Sequence, residues 1–368
     1  MKRKMLFLIT GFTLLFAGCL ISIYYFKGTK AGTSASGVLF AFERNYLPAD
    51  SLKFVRKFEC LQDGWKVLSF KDDLFLQMWK GQSLLRIDSL GKANQRFGRF
   101  GGGVGEFKQI VNISFMNSTI GITDSRRMVA TEMSITSGQV LKTYQFDRNI
   151  SGAAMIVPGL YIIRHFNSVS PEQEEYTITN FATNKSRKVL VPRFEKSKAL
   201  DPTARDVETS GYFISRSDGR GALYVCSSAG QFIAFDSLGN LIYRQHTIDQ
   251  STVAESETKH AGEQAFTMNI SRSNNINACA DENYLYILSN AKAPDIAEYK
   301  EGENASAVID IYSLKDGHYL LSIKVPAPRD DPFSKGAFSI TSIAVHHNHL
   351  YIVQGINVFV YFFPRPHL

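Results

Sequence analysis

LYVCSSAGQFIAFDSLG, residues 223–239, contains one unit of the pattern that decides the fold. Leu223 to Cys226 is a short apolar run and Ser227 to Gly230 a loop. Phe232 to Phe235 is a second run, and Asp236-Ser-Leu-Gly239 a tight turn into a third. Runs this short, rich in aromatic and β-branched residues and bounded by Gly and Ser, read as strands and not helices. The unit recurs at Leu74-Phe-Leu-Gln77 with Leu84-Leu-Arg-Ile-Asp-Ser-Leu-Gly91, and at Thr119-Ile-Gly-Ile122 with Ser134-Ile-Thr-Ser-Gly138. It returns at Leu160-Tyr-Ile-Ile163 with Tyr176-Thr-Ile-Thr179, and at Leu285-Tyr-Ile-Leu288 with Val308-Ile-Asp-Ile-Tyr312. The last copy is Leu350-Tyr-Ile-Val353 with Val358-Phe-Val-Tyr361. These six copies stand roughly 40 to 65 residues apart, the spacing of a repeat architecture.

A four-stranded sheet repeated six times has one common closed solution, the β-propeller. The sixth copy ends near Phe363 after its third strand. Ser51-Leu-Lys-Phe-Val-Arg-Lys-Phe58 stands before the first copy as a strand without a sheet. Pairing the two would join the ends of the chain. Residues 38–368 are therefore expected to be one all-β domain, a six-bladed β-propeller.

Composition agrees with a well-buried core: 368 residues, 44% hydrophobic and 12% aromatic. It excludes a disordered chain, and four cysteines exclude a disulfide-dense mini-domain. The formal charge of +7 is concentrated in Lys2, Arg3, Lys4, Lys27 and Lys30; without them 36 basic residues face 34 acidic ones. A body this close to neutral offers no concentrated basic surface for nucleic acid.

Met5 to Phe26 carries no charge and is flanked by Lys2-Arg3-Lys4 and Lys27. At about 1.5 Å per residue it would span roughly 33 Å, enough for a bilayer core. The stronger positive cluster precedes it, so the body is expected on the far side of the cytoplasmic membrane. Residues 1–27 thus read as a transmembrane signal anchor and 28–37 as a tether. A second reading is a lipoprotein signal: Leu15-Phe-Ala-Gly-Cys19 resembles the bacterial cleavage box, with Cys19 the lipid-attachment candidate. A cleaved, soluble product is a third. All three place the propeller in the bacterial cell envelope, outside the cytoplasm.

Phe97-Gly-Arg-Phe-Gly-Gly-Gly-Val-Gly-Glu-Phe107, followed by Ile120-Gly-Ile-Thr-Asp124-Ser, resembles the signature of NHL-type and TolB-like six-bladed propellers. Val104 replaces the usual Pro. The insertion in copy five, before Ile309-Asp-Ile-Tyr312, resembles the propeller lipoproteins of bacterial cell surfaces. The resemblance implies the fold across residues 50–363. It implies no single activity, because such families include binding proteins, hydrolases and lyases.

Strand alternation places turns 1–2 and 3–4 of every blade on one face, and the remaining connections on the other. The first set is short throughout. The second holds Ser168 to Glu175, Pro192 to Thr209, Ile248 to Arg272, Ala291 to Ser306 and Pro326 to Ala337, with the glycine-rich 98–105 stretch. Long loops on a rigid scaffold are where binding resides, so the polar candidates are Arg99, His260, Glu263, Arg329, Asp330 and Asp331. The glycines of 101–105 match neither a phosphate loop nor a dinucleotide fingerprint. They are expected to supply positive φ, with Glu106 accepting from nearby amides.

His346, His347 and His349 lie on the short-turn face without a ligand set, and read as a solvated turn. Asn112, Asn275, Asn277 and Thr341 on the inner strands offer oxygens to the channel but no carboxylate for calcium. Cys60, Cys226 and Cys279 read as buried thiols, and Lys185 to Lys198 as a solvated hairpin. No catalytic residue, cofactor or metal is assigned. The leading expectation is a non-catalytic binding module, using its long-loop face to hold an envelope protein, peptide or saccharide. Its competitors are a metal-dependent, lactonase-like hydrolase or lyase with its site in the central channel, and a structural component of an envelope complex.

Overall fold

The computed structural model describes residues 44–48, 51–59, 64–166, 170–194, 196–197, 199, 201–216, 220–248, 256–261, 264–269, 275–289, 307–325 and 340–364. After β1 (Lys53–Glu59), blade 1 is β2 (Gly64–Phe70), β3 (Asp73–Met78), β4 (Ser83–Ile87) and β5 (Ala93–Phe97). A two-residue parallel pair, β6 (Arg99–Phe100) and β7 (Glu106–Phe107), leads to blade 2: β8 (Ile110–Met116), β9 (Thr119–Asp124), β10 (Val129–Ser134) and β11 (Val140–Gln145). Blade 3 comprises β12 (Ile150–Val157), β13 (Leu160–His165), β14 (Gln173–Asn180) and β15 (Lys185–Pro192). Helix α1 (Pro202–Glu208) precedes blade 4, which is β16 (Gly211–Ser215), β17 (Ala222–Cys226), β18 (Gln231–Phe235) and β19 (Leu241–His246). A hairpin of β20 (Ser256–Ala261) and β21 (Gln264–Asn269) follows. Blade 5 is β22 (Asn275–Ala280), β23 (Tyr284–Ser289), β24 (Ala307–Ser313) and β25 (Tyr319–Val325). Blade 6 has β26 (Ile340–His346), β27 (His349–Gln354) and β28 (Asn357–Phe362).

Six four-stranded antiparallel sheets result, and the sixth has the order β1-β28-β27-β26. The strand before the first copy therefore completes the last, with Lys53 opposite Phe362 and Glu59 opposite Asn357. The protein is a six-bladed β-propeller closed by its own N-terminal strand.

Each of six apolar clusters lies between two neighbouring blades. The one that closes the ring unites Val67, Leu74, Leu76 and Leu85 of blade 1 with Tyr351, Val353, Val358 and Val360 of blade 6. Residues 44–48, ahead of β1, also dock: Asn45 and Leu47 exchange backbone hydrogen bonds with Ser322 of β25, and Arg44 enters blade 5. The chain thus crosses from blade 5 to blade 6 before it begins the ring.

The repeated Asp-Ser-Leu-Gly turn has one physical solution in both places. Asp88 Oδ1 accepts from the amides of Leu90 and Lys92 at 2.9 and 2.8 Å. Asp236 Oδ1 accepts from Leu238 and Asn240 at 2.9 and 2.7 Å. The turn then requires a left-handed residue, filled by Gly91 (φ 84°) and Gly239 (φ 77°).

Residues 5–26, and with them the signal anchor and Cys19, lie outside the described residues. Among the described residues, no helix is long and apolar enough to cross a membrane.

Candidate functional site

On one face of the ring the widest connection is 216–221, between β16 and β17. The other face carries 98–109, 166–172, 193–210, 247–274, 290–306 and 326–339. The expected asymmetry is therefore present. Three of the segments read as loops contain secondary structure: the short β6–β7 pair in 98–109, α1 in 193–210, and the β20–β21 hairpin in 247–274.

Helix α1 shows why such a segment need not be a loose insertion. Asp201 caps it through the Thr203 amide and Pro202 begins it, the N-terminal chemistry a short helix needs. Its inward side is Ala204, Asp206 and Glu208. Arg164, at the end of β13, donates to Asp206 Oδ1 at 3.3 Å and to Thr209 Oγ1 at 3.0 Å. Arg193 donates to Glu208 Oε2 at 2.6 Å. All four charged side chains are at most 6% exposed. Two buried ion pairs therefore clamp the helix to blade 3. Beneath it, buried Glu174 accepts from Tyr176 at 2.8 Å and Gln231 at 3.2 Å, and so ties blade 3 to blade 4.

Exposed apolar side chains also gather on this face. Trp79, Phe100, Val104, Phe166, Phe194 and Ile356 stand in its connections and are 37–84% exposed. On the opposite face the exposed large apolar residues among the described residues are Leu90 and Leu238 of the repeated turn.

Arg99 stands at this rim with its side chain 76% exposed, paired to Glu106 at 2.7 Å. Glu106 Oε2 accepts from the Gly103 amide at 2.7 Å, and that bond, with Arg99, holds its carboxyl below the usual range. Of the glycines in 101–105, Gly101 and Gly105 have positive φ as expected and Gly102 and Gly103 do not; Gly98, just before them, is also left-handed. Asp124 completes the corner by accepting from the amides of Lys108, Gln109 and Arg127. The glycine signature and the Asp-Ser motif thus form one structural corner. His260 falls in β20 opposite Ala265, its side chain outside the description. Glu263, Arg329, Asp330 and Asp331 lie outside the described residues.

The channel differs from the sequence reading. The first strands of the blades pack on one another around the axis. Asn277 Oδ1 accepts from the Ile343 amide at 3.0 Å, Asn275 donates to Cys226 and Ala229, and Thr341 donates to Trp65. These groups bond neighbouring blades to one another and do not converge. Lys66 reaches across the channel. From β2 of blade 1 its ammonium lies 5.7 Å from the ring centroid of Tyr212, on β16 of the opposite blade 4. A void of about 40 Å³ adjoins it, lined by Lys66, Leu68, Ser69, Ile113, Phe115, Phe213, Ile214 and Cys279 among others.

Desolvation lowers the Lys66 pKa from 10.5 to about 8, and burial raises that of Cys279 to about 12. Between about pH 8 and 10.5 the unfolded chain binds the proton that folded Lys66 has lost, so stability rises with pH in that window. In buffers without small anions, the melting-point advantage of Lys66→Met over wild type should be largest below about pH 8 and shrink towards pH 10. A constant difference would disprove the shift.

Cys226 and Cys279 are free thiols; Cys60 lies outside the described residues. His347 sits 3.5 Å from Asp72 in an exposed turn, and among the described residues no three His, Cys, Asp or Glu side chains form a metal-binding group. In the basic 185–198 stretch, Lys188 pairs with Glu175, Lys196 with Glu172 and Arg193 with Glu208, while Arg187 bonds Asn240. A groove of about 350 Å³ runs between blades 2 and 3 past Arg148, His165 and Lys188. Arg148 and Lys188 both pair with Glu175 there.

No family model matches the chain, and no curated protein matches its sequence. Similar solved structures include the β-propeller domain of Cps50 (Swd1) from Myceliophteria thermophila, 11% identical, covering 85% of this chain and 100% of that one at a TM-score of 0.46. A putative exported protein from Bacteroides fragilis is 9% identical, covering 82% of each chain at 0.46. BamB from Moraxella catarrhalis is 13% identical, covering 82% of this chain and 70% of that one at 0.37. At these identities and scores the likeness extends to the propeller fold alone.

Proposed function

We propose that the protein is an interaction module, held outside the cytoplasm by its N-terminal segment, that docks an envelope protein on its long-connection face. The observation that supports this reading is the placement of exposed Trp79, Phe100, Val104, Phe166, Phe194 and Ile356, all in connections of that face. Aromatic and aliphatic groups held in water by a rigid ring favour a partner that covers them. The clamp on α1 serves the same end, since a preformed rim loses less conformational entropy on binding.

A photo-crosslinking residue placed at Phe166, Phe100 or exposed Thr203 should give a discrete adduct in intact cells. The same residue at Leu90 or Leu238 should give none. Adducts confined to Leu90 and Leu238, or equal from both faces, would overturn the assignment.

A further inference from the structure

β1 closes the ring, yet its outer edge carries side chains that closure does not use. Phe54 and Val55 are 58% and 42% exposed, and Phe362, opposite Lys53, is 39% exposed. Phe54 shares a side of the sheet with Tyr361, which packs with blade 5. Phe362 shares the other side with Val358 and Val360, which pack with blade 1. Val55 is the bulge between Phe54 and Arg56. The three therefore wrap a corner of blade 6 at its short-turn end, where Phe362 also meets His349. Lys53 and Lys57 are exposed beside it, and neither has an ion-pair partner among the described residues. A bulge and lysines suffice to keep a strand edge from pairing with other chains. They do not account for two phenylalanines held in water.

Direction and composition say what covers this corner. Tyr46 bridges Ser322 in parallel, and β25 runs from the short turn at 314–318 towards the long connection after Val325. The chain thus enters the ring from the short-turn side. Before that entry the uncharged run ends at Phe26, leaving residues 27–43, with their glycines and serines, as the tether. A flexible coil of that length averages roughly 20–25 Å end to end. Aromatic and aliphatic groups flanked by free lysines match the boundary of an anionic bilayer, where rings enter the headgroup layer and ammonium groups meet lipid phosphate. We propose that this corner rests on an anionic bilayer surface, with Phe54, Val55 and Phe362 in the headgroup layer and Lys53 and Lys57 on lipid phosphates, which presupposes that the N-terminal run anchors the chain. Resting there turns the long-connection face away from the bilayer, open to the partner proposed for it.

The test uses the full chain with a photo-crosslinking residue at Val55 or Phe362, reconstituted in phosphatidylcholine vesicles with or without phosphatidylglycerol. Flotation with the vesicles at high salt reports the anchor separately. Both sites should give lipid adducts, several-fold more with phosphatidylglycerol, and that gain should shrink as salt rises. The same residue at Phe100 or Phe166 should give none. Lys53→Glu with Lys57→Glu should lower the Val55 yield roughly tenfold. Chains that float but give no adduct at Val55 or Phe362, or as much from Phe100 and Phe166, would overturn the proposal and leave the anchor standing. Yields indifferent to phosphatidylglycerol would overturn it too. Chains that do not float would overturn the anchor and the proposal together. The lipid arm needs no charge variant, so misfolding of the double substitution leaves the proposal open to refutation.

Discussion

A chain beginning at residue 61 should aggregate or melt far below the chain beginning at residue 38, and a peptide spanning residues 43–60 should restore much of the loss. β1 is a weak strand by burial, with Lys53, Phe54, Val55, Lys57 and Glu59 exposed. Its contribution is the ladder to β28, from Lys53 opposite Phe362 to Glu59 opposite Asn357. At about 1 kcal/mol net per hydrogen bond that ladder amounts to several kcal/mol. Phe58 adds packing: its ring lies where a Cβ on Gly91 would come within 2.2 Å, against the cluster that closes the ring. Without β1, the Asn-Val-Phe-Val-Tyr-Phe edge of β28 is left unpaired. An apolar edge of that kind recruits other chains. Light scattering and circular dichroism melts check both effects. A monomeric truncated chain melting within about 2 °C of the longer one would show that β1 does not close the ring.

The closure was legible because it follows from counting. Six copies, the last one strand short, and one strand left over before the first permit only one economical pairing. The turns were legible for a local reason: Asp88 and Asp236 use the same two amides and the same left-handed glycine. What sequence did not reveal is equally physical. α1 rests on a seven-residue segment too short for helical periodicity, and its clamp joins Arg164 to Asp206 across 42 positions. The inner-strand amides looked like channel ligands because alternation assigns a face and not a partner. Asn277 is used up on Ile343 of the next blade. Lys66 leaves no trace in the sequence, because one lysine in a strand carries no motif. Its meaning comes from Tyr212 on the opposite blade, which only ring closure brings near. Chemistry spread over opposite blades leaves no local trace.

The same non-local logic governs Arg44 and Asp310. Asp310→Ala should cost about 3–5 kcal/mol, the usual effect of removing one partner of a buried ion pair. Arg44 Nε donates to Asp310 Oδ1 at 3.0 Å and its Nη2 to Oδ2 at 3.2 Å, both side chains being 1% exposed. Ser322 donates to the same carboxylate at 2.5 Å, and Tyr319 shares a hydrogen bond with Ser322. Removing the carboxylate leaves the guanidinium buried in blade 5 and releases the segment that enters the ring there. Replacing both charges should be far milder, because the desolvation penalty of each ion disappears with the attraction between them. Arg44→Met with Asp310→Leu should therefore melt well above Asp310→Ala, and a double-mutant cycle should show strong positive coupling. Additive losses would mean that the two side chains act separately. In that case the docking of residues 44–48 would rest on the backbone bonds of Asn45 and Leu47 to Ser322, not on the ion pair.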